Sequence, residues 1–295
     1  MAASTRGAVF SMVIATLLWG ATFVAIRDLV VGIPPVALVF ARFAVAAAVL
    51  TLALVARGVR PMPSELAVGA LSGALGVGGF LFQAVGLTTT SAGSSAFLTS
   101  GGALFAALFA WPLLGQRPDR VLALGLVIAL SGSALLSLHS GFALGVGEAW
   151  TFAGALLYAL QIVTLGRFAA RHDPLVLTTV QAITIAVLLA PFAGHVPEVF
   201  RRLSVADGWR FAYLVIAGSM MAPLLQVRAQ RTLPAGRVGL LFTLEPVFAL
   251  LFAITLGAER FAPHWWVGAL LIVGAVVLVE GRAAREAAAF RPASG

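Results

Sequence analysis

The stretch FQAVGLTTTSAGSSAFLTSGGALFAALFAWPLLGQR, residues 82–117, lies without a gap on LQVRAQRTLPAGRVGLLFTLEPVFALLFAITLGAER, residues 225–260, when the chain is shifted by 143 positions. Gln83 then falls on Gln226, Thr89 on Thr232, Ala92 on Ala235 and Gly93 on Gly236. Further along, Phe105 meets Phe248, Phe109 meets Phe252, Leu113 meets Leu256 and Arg117 meets Arg260. Apolar helices share letters by chance, but polar and glycine matches in one register mark an internal duplication. A looser match sets WGATFVAIR beside YALQIVTLGR and pairs Trp19 with Tyr158.

Both copies are embedded in a chain with 61% hydrophobic and only 10% charged residues, and a mean hydropathy of +1.03. A water-facing surface needs about 25% charged residues, so the apolar excess here must face lipid. The 19 basic residues are all arginine and stand singly or in pairs between apolar runs. That placement suits membrane topology and excludes a nucleic-acid stripe. Cysteine is absent, which removes disulfides, thiol chemistry and cysteine metal sites.

A helix crossing the hydrocarbon core needs about 20 mainly apolar residues. On that measure the chain holds ten spans: Ala8–Ile26, Val36–Ala56, Leu66–Leu87, Ala92–Leu114, Val121–Leu138, Val146–Phe168, Leu175–Ala193, Trp209–Gln230, Ala235–Leu256 and His264–Glu280. Arg, Asp, Pro and Gly punctuate them, as in GIPP, RGVRPMP, GQRPDR and RHDP. Ala8–Ile26 is long enough to span, so it reads as the first helix and not as a signal peptide. With the N-terminus in the cytoplasm, 13 arginines fall on the inner side and 5 on the outer, while Arg42 lies inside a span. The outer group is Arg27, Arg201, Arg202, Arg210 and Arg260, and the inner group runs from Arg6 to Arg291. Both termini are therefore expected to be cytoplasmic.

Residues 1–143 and 144–295 then form two halves of five spans each. Five is odd, so the second half enters the membrane from the opposite side. Inverted repeats around a shared midplane site are an architecture of secondary transporters. The expected fold is thus all-α, with ten transmembrane helices in two inverted repeats around a central cavity.

Three strings carry a family resemblance: LWGATFVAIRD in the first helix, GLTTTSAGSSAFLTS entering the fourth, and LFTLEPVFALLFAITLGAER in the ninth. They resemble the EamA-type drug/metabolite transporter superfamily, in both halves and in the right order. The resemblance implies export of amino acids, metabolites or toxic organic compounds across a bacterial inner membrane, without cofactor or metal. Two positions depart from the family pattern. Ala103 and Gln116 stand where a proline and a glutamate are usual in the first half, whereas Pro246 and Glu259 keep the second-half equivalents. A straighter fourth helix, and the loss of a glutamate partner for Arg117 at that mouth, are the consequences to expect.

Ionisable groups at membrane depth are costly and are functional candidates by default. Arg42 in the second span and Glu245 in the ninth, next to the helix-kinking Pro246, are assigned to gating or coupling. A structural ion pair, or snorkelling of Arg42 to the nearer surface, is the bland alternative. Candidate substrate contacts are Gln83 and its counterpart Gln226, with Gln161, Gln181, Thr99 and Ser100, although interhelical hydrogen bonds explain such groups equally well. Trp19, Phe80, Phe97, Trp150, Tyr158 and Phe242 could form an aromatic wall suited to flat side chains or organic cations. Trp265 and Trp266 look like an interfacial belt instead.

An intramembrane enzyme would need converging nucleophiles, bases or metal ligands. His139, His172, His195 and His264 all lie at span ends or in loops, and no strand precedes a glycine-rich loop that could hold a nucleotide. A secondary transporter or facilitator for neutral or aromatic amino acids is the expectation. Export of organic cations or sugars, or a non-transporting assembly partner, stays open. The lipid bilayer and a small-molecule substrate are the expected partners, with a homodimer possible through the glycine faces.

Overall fold

Local signals in the sequence set the helix ends. Proline occupies the first turn of the second, third and seventh helices, where its missing N–H costs nothing. Asp173 accepts from the N–H groups of Leu175 and Val176, Ser91 accepts from Ser94, and Ser204 accepts from Asp207. Gly115, at φ 71°, closes the fourth helix in the left-handed conformation that glycine adopts without strain.

The computed structural model describes residues 5–137, 145–194, 196, 200–201, 204–256 and 264–289. The helices are α1 Thr5–Leu29, α2 Pro35–Ala56, α3 Pro63–Gly86, α4 Ala92–Leu114 and α5 Arg120–Ser137 in the first half. The second half has α6 Val146–Phe168, α7 Pro174–Leu189, α8 Val205–Gln230, α9 Ala235–Leu256 and α10 His264–Ala289. Among the described residues nine of these are long and apolar enough to span, and the apolar part of α5, Arg120–Leu136, is shorter. His139, His195, Arg202, Glu259, Arg260 and Arg291 lie outside the described residues, as does the side chain of Ala103.

Three elements differ from the hydropathy reading. α8 starts at Val205 because Ser204 caps it, ahead of the apolar run. α10 continues through RAAREAAA to Ala289, since Ala, Arg and Glu are strong helix formers. α9 is two pieces, Ala235–Phe242 and Glu245–Leu256, whereas α4 is continuous. Pro246 cannot donate a backbone hydrogen bond, and Thr243 and Leu244 bond only three residues back, to Leu240 and Leu241. The break falls where the expected proline kink was placed.

The packing obeys the duplication. α1 packs on α8 and α9, α2 on α7 and α8, α3 on α6 and α7, α4 on α6 and α9, and α5 on α10. Exchanging each helix for its counterpart five places away maps these contacts onto one another: α1–α8 becomes α6–α3, and α1–α9 becomes α6–α4. The exchange leaves α2–α7, α4–α9 and α5–α10 as self-paired contacts. Every main contact of this set joins the two halves, so neither half is a separate body.

Glycine permits these approaches. A Cβ on Gly73 would sit 2.6 Å from the Cβ of Thr184 on α7, and one on Gly79 would sit 2.6 Å from the ring of Tyr158 on α6. The smooth face of α3 is therefore used inside the chain.

At one end of the bundle buried Glu65 accepts from its own cap, Met62 N–H, at 2.9 Å and from Asp173 N–H, between α6 and α7, at 2.8 Å. His172 bonds Ser64 nearby at 3.2 Å. At the other end Arg210 of α8 bridges Asp207 and Asp28, at the end of α1, at 3.1 and 3.3 Å.

Gly79→Ala is expected to lower the melting temperature in detergent by several degrees, reflecting a loss of about 1–3 kcal/mol from overpacking against Tyr158. Gly274→Ala, with open space where the Cβ would go, is the control and should leave it unchanged. Glu65→Ala strands two backbone donors and is expected to cost about 1–3 kcal/mol in the same assay. A melting curve for Glu65→Ala superimposable on wild type would refute its tying role.

Candidate functional site

Seven helices from both halves converge on one enclosed site. α1 contributes Trp19 and, one turn on, Thr22; α2 contributes Arg42; α3 contributes Phe80 and Gln83. α4 adds Thr99 and Gly102, and α6 adds Tyr158, Gln161 and Ile162. From α8 comes Gln226, and from the two sides of the α9 break come Phe242 and Glu245. The room open to the centre of a water-sized sphere is about 30 Å³. That suffices for roughly two water molecules, so anything larger requires the walls to separate.

The aromatic side chains form two pairs in the lining. Trp19 stacks on Phe242 with ring centroids 5.3 Å apart, and Tyr158 meets Phe80 edge-on at 5.2 Å. Trp19 also donates its indole N–H to Gly218 O at 3.0 Å, which fixes the ring against α8. The amides form a second group: Gln83 donates to Thr99 Oγ1 at 3.3 Å, and Gln226 donates to Gln230 at 3.1 Å. Gln230 in turn donates to Ile162 O at 2.7 Å, joining α8 to α6.

Two charges face this space. The Arg42 guanidinium lies over the rings of Phe80 and Phe43, at 4.8 and 5.0 Å from their centroids. Such cation–π contacts supply part of what water would, about 2 kcal/mol when desolvated. Glu245 opens the second piece of α9, where the helix dipole favours a negative group. Arg42 is 2% and Glu245 4% exposed, yet Arg42 Nε and Glu245 Oε2 have no hydrogen-bond partner among the described residues. No ion pair joins them. Tyr158 lines the same cavity as both charges. Arg42 does not snorkel: α2 is flanked by α3, α7 and α8, and its arginine points inward.

Other candidates lie elsewhere. Gln181 accepts from Ser72 at 3.3 Å within the α3–α7 contact, and Ser100 bonds Ser133 of α5 at 3.0 Å. Phe97 and Pro246 are outside the cavity lining, although Pro246 creates the break that presents Glu245. Trp150 packs on Phe82 at 4.9 Å and is 40% exposed on the lipid side. Trp266 is exposed as a belt residue would be, but Trp265 is buried against the bundle. Gln116 bonds Ala235 N–H at the start of α9 at 3.2 Å, and Arg117 lies over Trp111, 5.1 Å from the ring centroid. Thr22, Gly102 and Ile162 escaped the sequence reading. Thr22 and Gly102 each lie three residues beyond a chosen position, Trp19 and Thr99, and helical periodicity alone could have added them.

The chain resembles known proteins over 69–93% of its length, and it spans about two thirds of one of these relatives. It is 29% identical over 206 residues to an uncharacterised transporter of Archaeoglobus fulgidus, covering 69% of this chain and 65% of that relative. It is 26% identical over 278 residues to a probable terminal-alkyne amino-acid exporter of Streptantibioticus cattleyicolor, covering 93% and 94% of the two chains. An uncharacterised inner-membrane transporter of Escherichia coli K12 is 26% identical over 285 residues, covering 92% and 89%. A crystal structure at 22% identity shares the fold with a TM-score of 0.75, over 92% of this chain and 98% of the other. Residues 6–138 and 145–281 each match the EamA-like transporter family, once per half, and the chain belongs to that family of multi-pass membrane proteins.

Proposed function

We propose that this protein exports neutral or aromatic amino acids across a bacterial inner membrane by alternating access, with both termini in the cytoplasm. The observation that carries the reading is the pair of buried charges of opposite sign, Arg42 and Glu245, that share one cavity and do not neutralise each other. An unpaired charge in a low-dielectric site is expensive, and a zwitterion answers both at once. Its carboxylate suits the fork of Arg42 and its ammonium suits Glu245. Trp19, Phe80, Tyr158 and Phe242 would receive the side chain. A polyanion would meet one cation and one opposing carboxylate, and an organic cation would leave Arg42 unanswered.

Two features support the cycle. The cavity is built from both repeats, so rocking one half against the other exposes it to each side in turn. The arginine distribution and the inner-membrane relative support the location, and the amino-acid exporter at 26% identity supports the substrate class. Transport requires the Asp28–Arg210 tie to part on one face and the Glu65–Asp173 tie on the other.

Uptake by purified protein in proteoliposomes tests the reading. Labelled neutral and aromatic amino acids are expected to move, while the matching decarboxylated amines and deaminated acids are not. Arg42→Gln and Glu245→Gln are each expected to raise the KM by about 10–100-fold, the loss of one charge-assisted contact worth about 1.5–3 kcal/mol. Transport of the amines at the amino-acid rate would replace this reading with organic-cation export. An imposed proton gradient separates the roles of Glu245: gradient-driven flux lost in Glu245→Gln makes it the coupling group, and flux indifferent to the gradient leaves it a binding group.

A further inference from the structure

α3 and α8 are counterparts, but two registers relate them. At their first turns the offset is 142: the helices begin at Pro63 and Val205, their caps are Met62 and Ser204, and their acidic third residues are Glu65 and Asp207. Both carboxylates serve the same purpose there. Glu65 holds Asp173 N–H directly, and Asp207 holds Asp28 through Arg210, each a link in the opposite half. From residue 82 onward the offset is 143, the register that pairs Gln83 with Gln226. α8 is therefore one residue longer than α3 between its first turns and Gln226.

The structure shows where the residue went. Leu214–Met221 is π-helical, while the matching part of α3 is regular α-helix. A π turn is how a helix absorbs one extra residue when both its ends are held in place. Ala222 N–H bonds Ala217 O, five residues back, and Ser219 Oγ donates to Leu214 O, also five back, at 2.9 Å. α1 grips the widened segment at two points: Tyr213 donates to Leu18 O at 2.7 Å, and Trp19 donates to Gly218 O.

We infer that the π segment of α8 is a positioning device: its extra residue turns the inner half of α8 so that Gln226 faces the central cavity while Asp207 and Arg210 keep their tie to α1. Each residue of an α-helix advances the side-chain direction by about 100°. Without the extra residue Gln226 and Gln230, which share a face, would swing out of the site, and the amide bridge to Ile162 would go with them. The inference rests on the central cavity being the transport site only for its consequence, not for the geometry itself.

The chain has no cysteine, so Gln226→Cys supplies a single thiol. Its labelling by a charged, water-soluble methanethiosulfonate in proteoliposomes is compared with the same thiol in a variant lacking Ile216, an exposed residue of the π segment. The deletion is expected to slow labelling about tenfold, because reactivity follows thiol exposure, and one alanine re-inserted after Met221 is expected to restore it. Equal rates with and without Ile216 overturn the inference. If the deletion variant fails to fold by gel filtration, Ser219→Ala decides in its place. Labelling slowed about two- to threefold then supports the inference, and an unchanged rate overturns it. Labelling needs no substrate, so protein that labels as expected but moves no amino acid loses the transport reading alone.

Discussion

Inside hydrocarbon, every backbone N–H and C=O must be satisfied within the protein, because no water is there to do it. Ten helices meet that demand by default, and irregular backbone is tolerated only where it is buried in protein or lines a cavity. Two departures in the described spans are the π segment of α8, which Trp19 of the cavity wall bonds, and the break in α9, from whose two sides Phe242 and Glu245 line the cavity. In α8 the strain is met by Ser219 and by the indole of Trp19, which takes up the Gly218 carbonyl. In α9 the Thr243 hydroxyl donates to Leu240 O at 2.6 Å, covering part of the gap before Pro246. One of these side chains, Trp19, belongs to the cavity wall, and Ser219 and Thr243 act within their own helices.

The electrostatics of the site follow from that geometry. The α9 break makes a second helix start in the middle of the membrane, and Glu245 is the residue at it. Arg42 arrives from α2, at a position held over two phenyl rings and not against a carboxylate. A pair in contact would be a structural element and would leave little for a ligand to do. Two separated charges that line one small cavity leave both groups facing the space a ligand would enter.

The duplication is visible in the packing. The main contacts between helices join the halves and recur under exchange of the repeats. The ties at the two ends differ in chemistry: one is a half-exposed ionic bridge through Arg210, and the other is a buried glutamate holding a backbone amide. The symmetry is therefore architectural and is broken in the chemistry of the two end ties.

Hydropathy and the repeated stretch alone determined the number of spans, the two halves and their inversion, because burial in lipid is read from composition and the repeat from register. Helix ends at Ala92, Leu114, Val146 and Phe168 were legible for the same reason, with caps beside them. Much of the site was legible too, since polar and charged residues such as Arg42, Gln83, Gln226 and Glu245 are conspicuous in apolar helices. Tertiary structure decided which of them face one another. Gln161 and Gln181 look alike in sequence, yet one lines the cavity and the other bonds Ser72 between helices, because the direction of a side chain depends on which neighbours its helix acquires. The π segment was invisible for a related reason: nothing in an apolar run shows whether its turns hold four residues or five, and only the fixed ends of α8 in the bundle make the difference.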